Sequence, residues 1–475
     1  MSLAESQLSF VLFYPLNRIM KENLNTSSEK QKIVIIGAGL AGLTTAYRLF
    51  ERGYDIEIYE ARPRVGGRVH SVFIKSLEGE DSIAELGGHD ISDGGKAHYM
   101  LSLIREFNLE IREDITKLSH IFYEDQKIHT PHIFLQQQDF APQKLEEFFY
   151  HLKTSVHSIQ DILDILFKKD SILKRYFSIR LSLYEGSDPS LLAVYHNKDT
   201  LKHLLQRGLP PAHPKSIIHR LVIKEGNAQL PLKMAQKISH KLHLEKILKK
   251  VRINSSHQIE VSFQDNKSIF CDKLILAIPC SVYKNIIFDE VVLPAARLAS
   301  IKEVQYGTNA KILAPVKRLN SPYNAVFTNK MVGFFSNEDK LLNMYFGGQA
   351  AATLSKNTLD LFQETLIDIK AGFKNILLNE EEPISAKDEQ LTRYIQPVAK
   401  SWTEDPYSQG SYSNYGVKLG ERFSEETDYH DIKFKKIFEP IANRIFFAGE
   451  HATLLDEIGT MEAAIESGER LALLF

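Results

Sequence analysis

Residues 32–60, KIVIIGAGLAGLTTAYRLFERGYDIEIYE, predict a strand, a helix and a second strand in succession. The continuous apolar run at 32–36 is typical of a buried strand, and apolar side chains then recur with helical spacing from Leu40 to Arg52. After a glycine that ends the helix, residues 54–60 alternate between apolar and polar side chains, as strands do. Such a unit of about thirty residues normally belongs to a parallel sheet, so we expect an α/β fold.

The glycines between the first strand and the helix have the spacing of a nucleotide-binding turn. Gly37 permits the tight turn, Gly39 lets the backbone approach a pyrophosphate, and Gly42 lets the helix pack closely on the strand. The amide end of the helix attracts phosphate. Glu60, about twenty residues further on, is placed to accept hydrogen bonds from ribose hydroxyls. A purely structural turn has no use for this carboxylate, so the order of these features predicts nucleotide binding.

Five further glycine-containing segments resemble segments of the flavin-containing amine oxidases, a family that includes monoamine, polyamine and L-amino acid oxidases. These segments are 62–68 (RPRVGGR), 84–88 (AELGG), 225–231 (EGNAQLP), 446–450 (FFAGE) and 459–470 (GTMEAAIESGER). Each is ordinary when taken alone, since glycine pairs also occur in flexible loops and amphipathic helices often end a chain. Because all of them occur in one chain and in the order found in the family, we interpret them as a resemblance. It extends from about residue 32 to residue 475, although it is strong only in these segments.

The resemblance implies that the nucleotide is FAD. Monoamine oxidases carry, at the position of Ser411, the cysteine that bonds covalently to the flavin, and a serine cannot form that thioether. We therefore expect FAD to be bound non-covalently. The cofactor-binding residues that the resemblance implies are Gly37, Gly39, Leu40, Ala41, Gly42, Glu60, Ala61, Arg62, Gly67, Arg68, Gly87, Gly88, Leu248, Gly449, Glu450, Thr460 and Met461.

The resemblance also implies three catalytic residues, namely Lys311, Trp402 and Tyr412. In the family a lysine holds a water against the flavin, and Lys311 follows a glycine turn in a matching pattern. A buried lysine would have a lowered pKa and would need a partner; the alternative is a solvent-facing lysine on an edge strand. Trp402 is expected at the edge of the flavin and Tyr412 as one wall of an aromatic cage, rather than as ordinary core aromatics.

The cage departs from that of monoamine oxidases, because Thr460 stands where they have a second tyrosine. This departure puts a simple arylalkylamine substrate in doubt and leaves a polyamine, an amino acid or a bulkier secondary amine. Arg175 and Arg180 are either a clamp for an amino-acid carboxylate or solvated charges on a helix face.

The function predicted from these residues is oxidation of an amine by hydride transfer to flavin. Oxygen is the expected acceptor, giving an imine that hydrolyses to a carbonyl compound, and hydrogen peroxide. Two alternatives stay open. One is a flavin desaturase or other oxidoreductase that acts on a non-amine substrate, such as a carotenoid or a porphyrinogen. The other is a catalytically silent FAD-binding protein.

Two lobes, each discontinuous in sequence, are expected from the alternation of strand-rich and helix-rich stretches. An FAD-binding, Rossmann-like domain of the glutathione-reductase type is expected from residues 31–88, 222–296 and 402–475. A substrate domain with a mixed sheet and helices is expected from residues 89–221 and 297–401. Residues 1–30 form a predicted N-terminal extension whose apolar run is too short to span a membrane and lacks the features of a secretion signal.

Charge and composition exclude several functional classes. The net charge is −2, from 58 basic and 60 acidic side chains, so no field directs the chain to nucleic acid. The 17 histidines lack metal-ligand spacing, and no metal is expected. With only two cysteines, a cytoplasmic location is expected. No transmembrane anchor is expected after the last motif, and a homodimer is the assembly considered.

Overall fold

The structure is a computed structural model, and it describes residues 31–91, 97–117, 119–131, 142–152, 156–167, 171–207, 217–354 and 358–475. The predicted N-terminal extension, residues 1–30, lies outside the described residues. Within those ranges, no helix combines the length and the apolar character needed to cross a membrane.

The strands of the described residues are numbered in chain order. They are β1 (Lys32–Ile36), β2 (Asp55–Tyr59), β3 (Ser71–Lys75), β4 (Asp81–Glu85), β5 (Ile111–Lys117), β6 (His120–Glu124), β7 (Lys127–His129), β8 (Ile217–Ile223), β9 (Leu242–His243), β10 (Leu248–Ile253), β11 (Ile259–Phe263), β12 (Ser268–Cys271), β13 (Lys273–Leu276), β14 (Ile287–Phe288), β15 (Gln305–Tyr306), β16 (Ala310–Arg318), β17 (Ala325–Phe327), β18 (Met331–Ser336), β19 (Leu341–Phe346), β20 (Ile376–Leu378), β21 (Ile384–Ser385), β22 (Arg393–Tyr394), β23 (Val398–Ser401), β24 (Ser413–Asn414), β25 (Glu426–Tyr429), β26 (Ile432–Lys435) and β27 (Ile445–Phe447).

The α-helices are numbered in the same way. They are α1 (Leu40–Glu51), α2 (His98–Glu106), α3 (Pro142–Tyr150), α4 (Ile159–Leu166), α5 (Ile172–Glu185), α6 (Val194–Arg207), α7 (Gln229–Lys237), α8 (Ala295–Lys302), α9 (Gly348–Leu354), α10 (Thr358–Phe373) and α11 (Met461–Ala472).

A five-stranded parallel sheet carries the glycine turn. Its strand order is β27-β13-β1-β2-β9, so it joins segments that are far apart in the sequence. Ile33 and Ile35 of β1 pack into one core cluster and Val34 and Ile36 into another, on the opposite face of the sheet. When both faces of a strand are buried, its sequence is apolar at successive positions, and this is the pattern at residues 32–36. Ligands in sheets of this kind bind beyond the carboxyl ends of the strands.

A second, nine-stranded sheet carries the predicted catalytic lysine. Its order is β21-β23-β16-β19-β18-β17-β6-β7, and β20 also pairs with β16. Lys311 of β16 lies opposite Tyr345 of β19 on one side and Lys400 of β23 on the other. Helix α10 packs against this sheet through residues such as Phe362 and Phe373. The lysine therefore lies on an interior strand and not at the edge of the sheet.

The region from 89 to 221 contains more strand than the sequence predicts. We expect mainly helices there, and α2, α4, α5 and α6 are present. However, β5 and β8 form an antiparallel pair in which Ile111 lies opposite Ile223, and β6 and β7 join the nine-stranded sheet. The sequence of β5, IREDITK, has no regular alternation of apolar residues. Its pairing partner lies about a hundred residues later in the chain, so local sequence does not reveal the strand.

Candidate active site

A cavity of about 470 Å³ extends from the carboxyl end of β1 to β16 and β19, a volume within the range of ligand sites in proteins. All the residues predicted for cofactor binding and catalysis line this cavity except Gly42. The structure therefore brings together residues from both ends of the chain and from both large sheets.

The glycine turn closes one end of the cavity. Gly37 has a φ of +104°, and a Cβ atom there would lie 2.4 Å from the carbonyl oxygen of Ala277. A Cβ atom on Gly42 would lie 1.9 Å from the carbonyl oxygen of Gly37, which explains why Gly42 packs behind the turn without reaching the cavity. A Cβ on Gly39, in contrast, would meet no atom within 4 Å. The amino end of α1 thus faces open space, as phosphate binding requires.

Glu60 follows the end of β2 and is buried in the cavity wall. Its carboxylate accepts hydrogen bonds from the backbone N–H groups of Ala38, at 2.7 Å, and Arg62, at 2.9 Å. These bonds hold the carboxylate beside the glycine turn. A carboxylate can accept about four hydrogen bonds, so Glu60 has capacity for ribose hydroxyls as well.

The Arg62 side chain is held by other side chains of the protein. It is 2% exposed, and its guanidinium binds the carboxylates of Asp405 and Asp388 and the hydroxyl of Ser408. Arg62 lines the cavity, and its side chain ties the first cofactor motif to the segment that follows β23.

Glu450 and Arg68 connect the two ends of the chain inside the cavity. The Arg68 guanidinium donates to Glu450 at 2.8 Å and to the carbonyl oxygen of Ser411 at 2.8 Å. Burial would raise the pKa of Glu450, but the Arg68 charge and hydrogen bonds, including one from Ser413, hold that pKa below its ordinary value. Glu450 is therefore an anion at neutral pH.

The amino end of α11 also faces the cavity. Thr460 caps the helix, because its hydroxyl accepts a hydrogen bond from the N–H of Ala463 at 3.0 Å, and Met461 is the first helical residue. The position that holds a tyrosine in monoamine oxidases is therefore a helix cap in this chain. Positive charge at a helix start stabilises an anion, such as a reduced flavin.

His451 supplies a test of whether the cavity suits a cofactor. Its Nδ1 lies 3.2 Å from the hydroxyl of Tyr306, which itself accepts the N–H of Cys280. Its Nε2 is buried in the cavity wall and has no hydrogen-bond partner among the described residues. Buried polar groups normally have partners, so this atom indicates a polar ligand in the cavity. Together with the glycine turn, Glu60 and the two helix starts, it shows a donor and acceptor set that fits FAD.

Lys311 is buried, with 7% of its surface exposed. Its ammonium group donates hydrogen bonds to the carbonyl oxygens of Glu85, at 2.9 Å, and Gly87, at 2.7 Å. Burial lowers the pKa of Lys311 to about 8, although the Glu85 and Asp90 carboxylates oppose this shift. The alternative of a solvent-facing lysine on an edge strand does not agree with this geometry. The ammonium group is instead tied to the Gly87–Gly88 turn.

Trp402 and Tyr412 both line the cavity, as the motif predicts, and each is held by a backbone carbonyl. The indole N–H of Trp402, a residue with 4% exposure, donates to Leu86 at 3.0 Å. The Tyr412 hydroxyl donates to Tyr184 at 2.6 Å. These hydrogen bonds fix the orientation of both rings in the cavity wall.

Tyr345 is a cavity residue that the sequence analysis did not identify. Its hydroxyl lies 3.3 Å from that of Tyr412, and the Lys311 ammonium nitrogen lies 5.7 Å from its ring centroid. It was missed because it belongs to β19 and reaches Lys311 only through the pairing of β16 with β19. The cavity therefore has a second tyrosine beside Tyr412, on a different strand from the position where Thr460 stands.

Arg175 and Arg180 do not line the cavity. Arg175 forms a two-point contact with the Glu124 carboxylate, at 2.7 and 2.6 Å. Arg180 donates to the Tyr176 hydroxyl at 3.1 Å and stacks on the Tyr176 ring. The hypothesis that these arginines clamp a substrate carboxylate has no support in this arrangement.

Comparison with known proteins agrees with this site. The family model described as flavin containing amine oxidoreductase matches residues 40–473. An L-amino-acid oxidase of Pseudechis australis is 24% identical, over 95% of this chain and 87% of its own length. The lysine-specific histone demethylase 1 homolog 2 of Arabidopsis thaliana is 26% identical, over 93% of this chain and 58% of its own length.

Solved structures share the fold. A double mutant of putrescine oxidase has a TM-score of 0.69 at 16% identity, and covers 93% of this chain and 98% of its own. Cyclohexylamine oxidase from Brevibacterium oxydans IH-35A has a TM-score of 0.68 at 16% identity, and covers 94% and 98% of the two chains. These matches confirm the predicted fold class, an α/β FAD-binding fold with a substrate domain. Because the family model spans most of the chain, this protein belongs to the flavin-containing amine oxidoreductases, enzymes that oxidise carbon–nitrogen bonds with a flavin.

Proposed function

We propose that this enzyme oxidises an amine with non-covalently bound FAD and passes the electrons to oxygen, giving an imine, its carbonyl hydrolysis product and hydrogen peroxide. The observation that carries the proposal is the buried Lys311, which shares one cavity with the cofactor cradle and with Tyr345 and Tyr412. Family membership supports amine oxidation, while the acceptor, the bonding state of FAD and the residue roles are our proposals.

The residues present divide the work of such a reaction. FAD, when bound, supplies the acceptor for the hydride equivalent from the carbon next to nitrogen. The faces of Tyr345 and Tyr412 orient the neutral amine, and Trp402 closes the wall against water. Lys311, with its pKa near 8, is able to exchange a proton with a water held beside it at neutral pH.

The test of this function is anaerobic mixing of the holoenzyme with amines, polyamines and amino acids while the visible absorbance of oxidised flavin is followed. Bleaching by amines alone supports the proposal. Bleaching only by a non-amine would favour the desaturase alternative. Absence of bleaching by every compound in the panel would favour the catalytically silent FAD-binding protein.

FAD is expected to leave the protein upon acid denaturation. Ser411 has no thiol, and its hydroxyl donates to the side-chain carbonyl of Asn309 at 2.7 Å. After acid precipitation the yellow colour should therefore be in the supernatant. A yellow pellet would contradict non-covalent binding. Ser411→Cys, which restores the thiol found in monoamine oxidases at this position, is the variant to compare.

A cytoplasmic location is also a proposal. It is supported by Cys271 and Cys280, which are both free thiols and buried. Burial raises the pKa of Cys271 to about 12, so this thiol is unreactive. Fractionation of cells that produce the protein decides the location.

The homodimer stays a prediction. The measured mass of the protein in solution, compared with 54.2 kDa for one chain, decides it.

A further inference from the structure

The cavity wall carries an oxidisable sulfur atom. Met461, the first residue of α11, is the one sulfur-containing residue among the described residues that line the cavity. Its side chain packs against the core cluster around α1 and is neither fully buried nor fully exposed. Because oxygen is the proposed electron acceptor, hydrogen peroxide would be formed in this same cavity. A thioether that peroxide reaches is converted to a sulfoxide.

The other sulfur-containing residues that the structure describes are shielded from peroxide. Cys271 and Cys280 are buried, with 2% and 1% of their surfaces exposed. A thiol reacts as the thiolate, and burial raises the pKa of both cysteines, that of Cys271 to about 12. Four methionines are also at most 1% exposed, namely Met100, Met234, Met331 and Met344. Within the described residues, Met461 therefore offers the sulfur atom that peroxide reaches most readily.

The Met461 side chain packs on the glycine turn that also holds the proposed catalytic lysine. A Cβ atom added to Gly88 would lie 2.9 Å from Sδ of Met461 and 3.0 Å from its Cγ. The adjacent Gly87 accepts the hydrogen bond from the Lys311 ammonium group at 2.7 Å. A sulfoxide places a polar oxygen on the sulfur that packs here, and such a change disrupts close apolar packing. Oxidation of Met461 would therefore disturb the turn that positions Lys311.

We propose that Met461 is the site at which hydrogen peroxide oxidises and inactivates this enzyme. The inference rests on the proposed function, which supplies the peroxide. In the reaction the O–O bond of hydrogen peroxide breaks and one oxygen atom is bonded to the Met461 sulfur, while the other leaves as water. The sulfur is oxidised by two electrons and the peroxide is reduced by two. Turnover declines as peroxide accumulates, and enzymatic reduction of the sulfoxide reverses the loss.

Peptide mass spectrometry tests the site without any turnover. The FAD-loaded holoenzyme is treated with added hydrogen peroxide and no amine, and is then digested with trypsin. Cleavage at lysine and arginine gives peptide 445–470, in which Met461 is the one sulfur residue, and peptide 341–356, which contains Met344 in the same way. Peptide 445–470 should gain one oxygen roughly 10-fold faster than peptide 341–356, because oxidation follows exposure and Met344 is fully buried.

A rate measurement tests the consequence of the oxidation. Met461→Leu removes the sulfur at similar volume, and Met344→Leu is the matched control; each protein is compared with its own untreated rate of flavin reduction. Peroxide treatment should slow the wild type and Met344→Leu about 5-fold or more, and should leave the relative rate of Met461→Leu within about twofold, because its side chain holds no sulfur to oxidise. Methionine sulfoxide reductase should remove the added oxygen and restore the wild-type rate.

A third measurement tests the source of the oxidant. The wild-type holoenzyme is supplied with oxygen and an amine that reduces its flavin, with and without catalase, and peroxide release is followed. Peptide 445–470 should gain oxygen during turnover, and catalase should prevent this gain, because it removes the accumulated peroxide.

The outcomes are distinct. Selective oxidation of Met461, protection by leucine at that position and protection by catalase together support the inference. Equal oxidation of the two peptides, an unmodified peptide 445–470, or equal inactivation of Met461→Leu and the wild type would overturn it while leaving amine oxidation in place. Failure of catalase to protect would also overturn it. If no amine yields peroxide, the proposed acceptor is wrong and the inference loses its oxidant; the result with added peroxide distinguishes that failure from a wrong choice of site.

Discussion

Replacement of Lys311 by methionine is expected to slow flavin reduction or reoxidation with an amine substrate by about two to four orders of magnitude, the usual contribution of a positioned acid–base group. FAD should stay bound, because Lys311 contacts the carbonyls of Glu85 and Gly87 and the cradle is formed by other residues. Methionine keeps a similar volume but cannot donate to those carbonyls or exchange a proton. Anaerobic stopped-flow absorbance measures the reductive step, and oxygen mixing measures the reoxidation.

The control lies on the same strand. Lys317 is in β16, about half exposed, and forms a surface ion pair with Glu78. Lys317→Met should leave both rate constants unchanged. If Lys311→Met retained FAD and both steps ran at the wild-type rate, the proposed role of Lys311 would be refuted.

The pH dependence of flavin reduction should reflect the titration of Lys311. Burial lowers the pKa of Lys311 to about 8 in the folded protein, so the ammonium form predominates below that pH and the neutral amine above it. If neutral Lys311 is the proton acceptor, flavin reduction at saturating substrate should rise as pH increases through about 8. The Lys311→Met variant should lack this limb. Titration of the substrate amine affects both enzymes equally, so a limb that persists in the variant would assign the dependence to the substrate.

Replacement of Asp405 by asparagine is expected to give the largest loss of stability. The buried Asp405 carboxylate binds the Arg62 guanidinium and, at 2.6 Å, the Lys400 ammonium group. Burial alone would raise the pKa of Asp405, but these two cations hold it well below its ordinary value. Asparagine leaves Lys400 without its carboxylate partner and leaves Arg62 with only the more exposed Asp388. Removal of one partner from a buried pair costs about 3–5 kcal/mol, to be measured as the free energy of unfolding in urea.

An exposed ion pair provides the comparison. Lys370 and Glu380 lie 2.6 Å apart with about half of each side chain exposed to solvent. Glu380→Gln should change the free energy of unfolding by less than about 1 kcal/mol, because solvent screens the pair. Because Arg62 lies two residues after Glu60 in the cofactor motif and donates its backbone N–H to that carboxylate, Asp405→Asn should also weaken FAD binding. Equal stability losses in the two variants would show that the Asp405 cluster contributes no more than a surface pair.

The cofactor cradle could be predicted from the sequence because its requirements are local. A turn between β1 and α1 needs glycine where an added Cβ would meet the backbone, as at Gly37 and Gly42. An acid at the end of β2 completes the pattern, and Glu60 is there. The family motifs also named Lys311, Trp402 and Tyr412, which line the cavity.

The remaining features depend on pairs of residues that are distant in the chain. Tyr345 faces Lys311 only because β16 and β19 pair in one particular register. The Arg62 guanidinium is paired because Asp405, 343 residues later, lies within hydrogen-bond distance. Local periodicity carries no information about such contacts, since they are made when separate strands dock against each other.

The sequence by itself determined the family and its flavin, and it predicted residues from both ends of the chain that line one cavity, because each motif has its own steric or charge requirement. Only the tertiary structure decided which of these side chains are available to a substrate. Burial lowers the pKa of Lys311, carboxylates pair with the arginines, and Met461 and Tyr345 line one cavity. Solvation and pairing of charges depend on three-dimensional surroundings, and these form only when the two sheets come together.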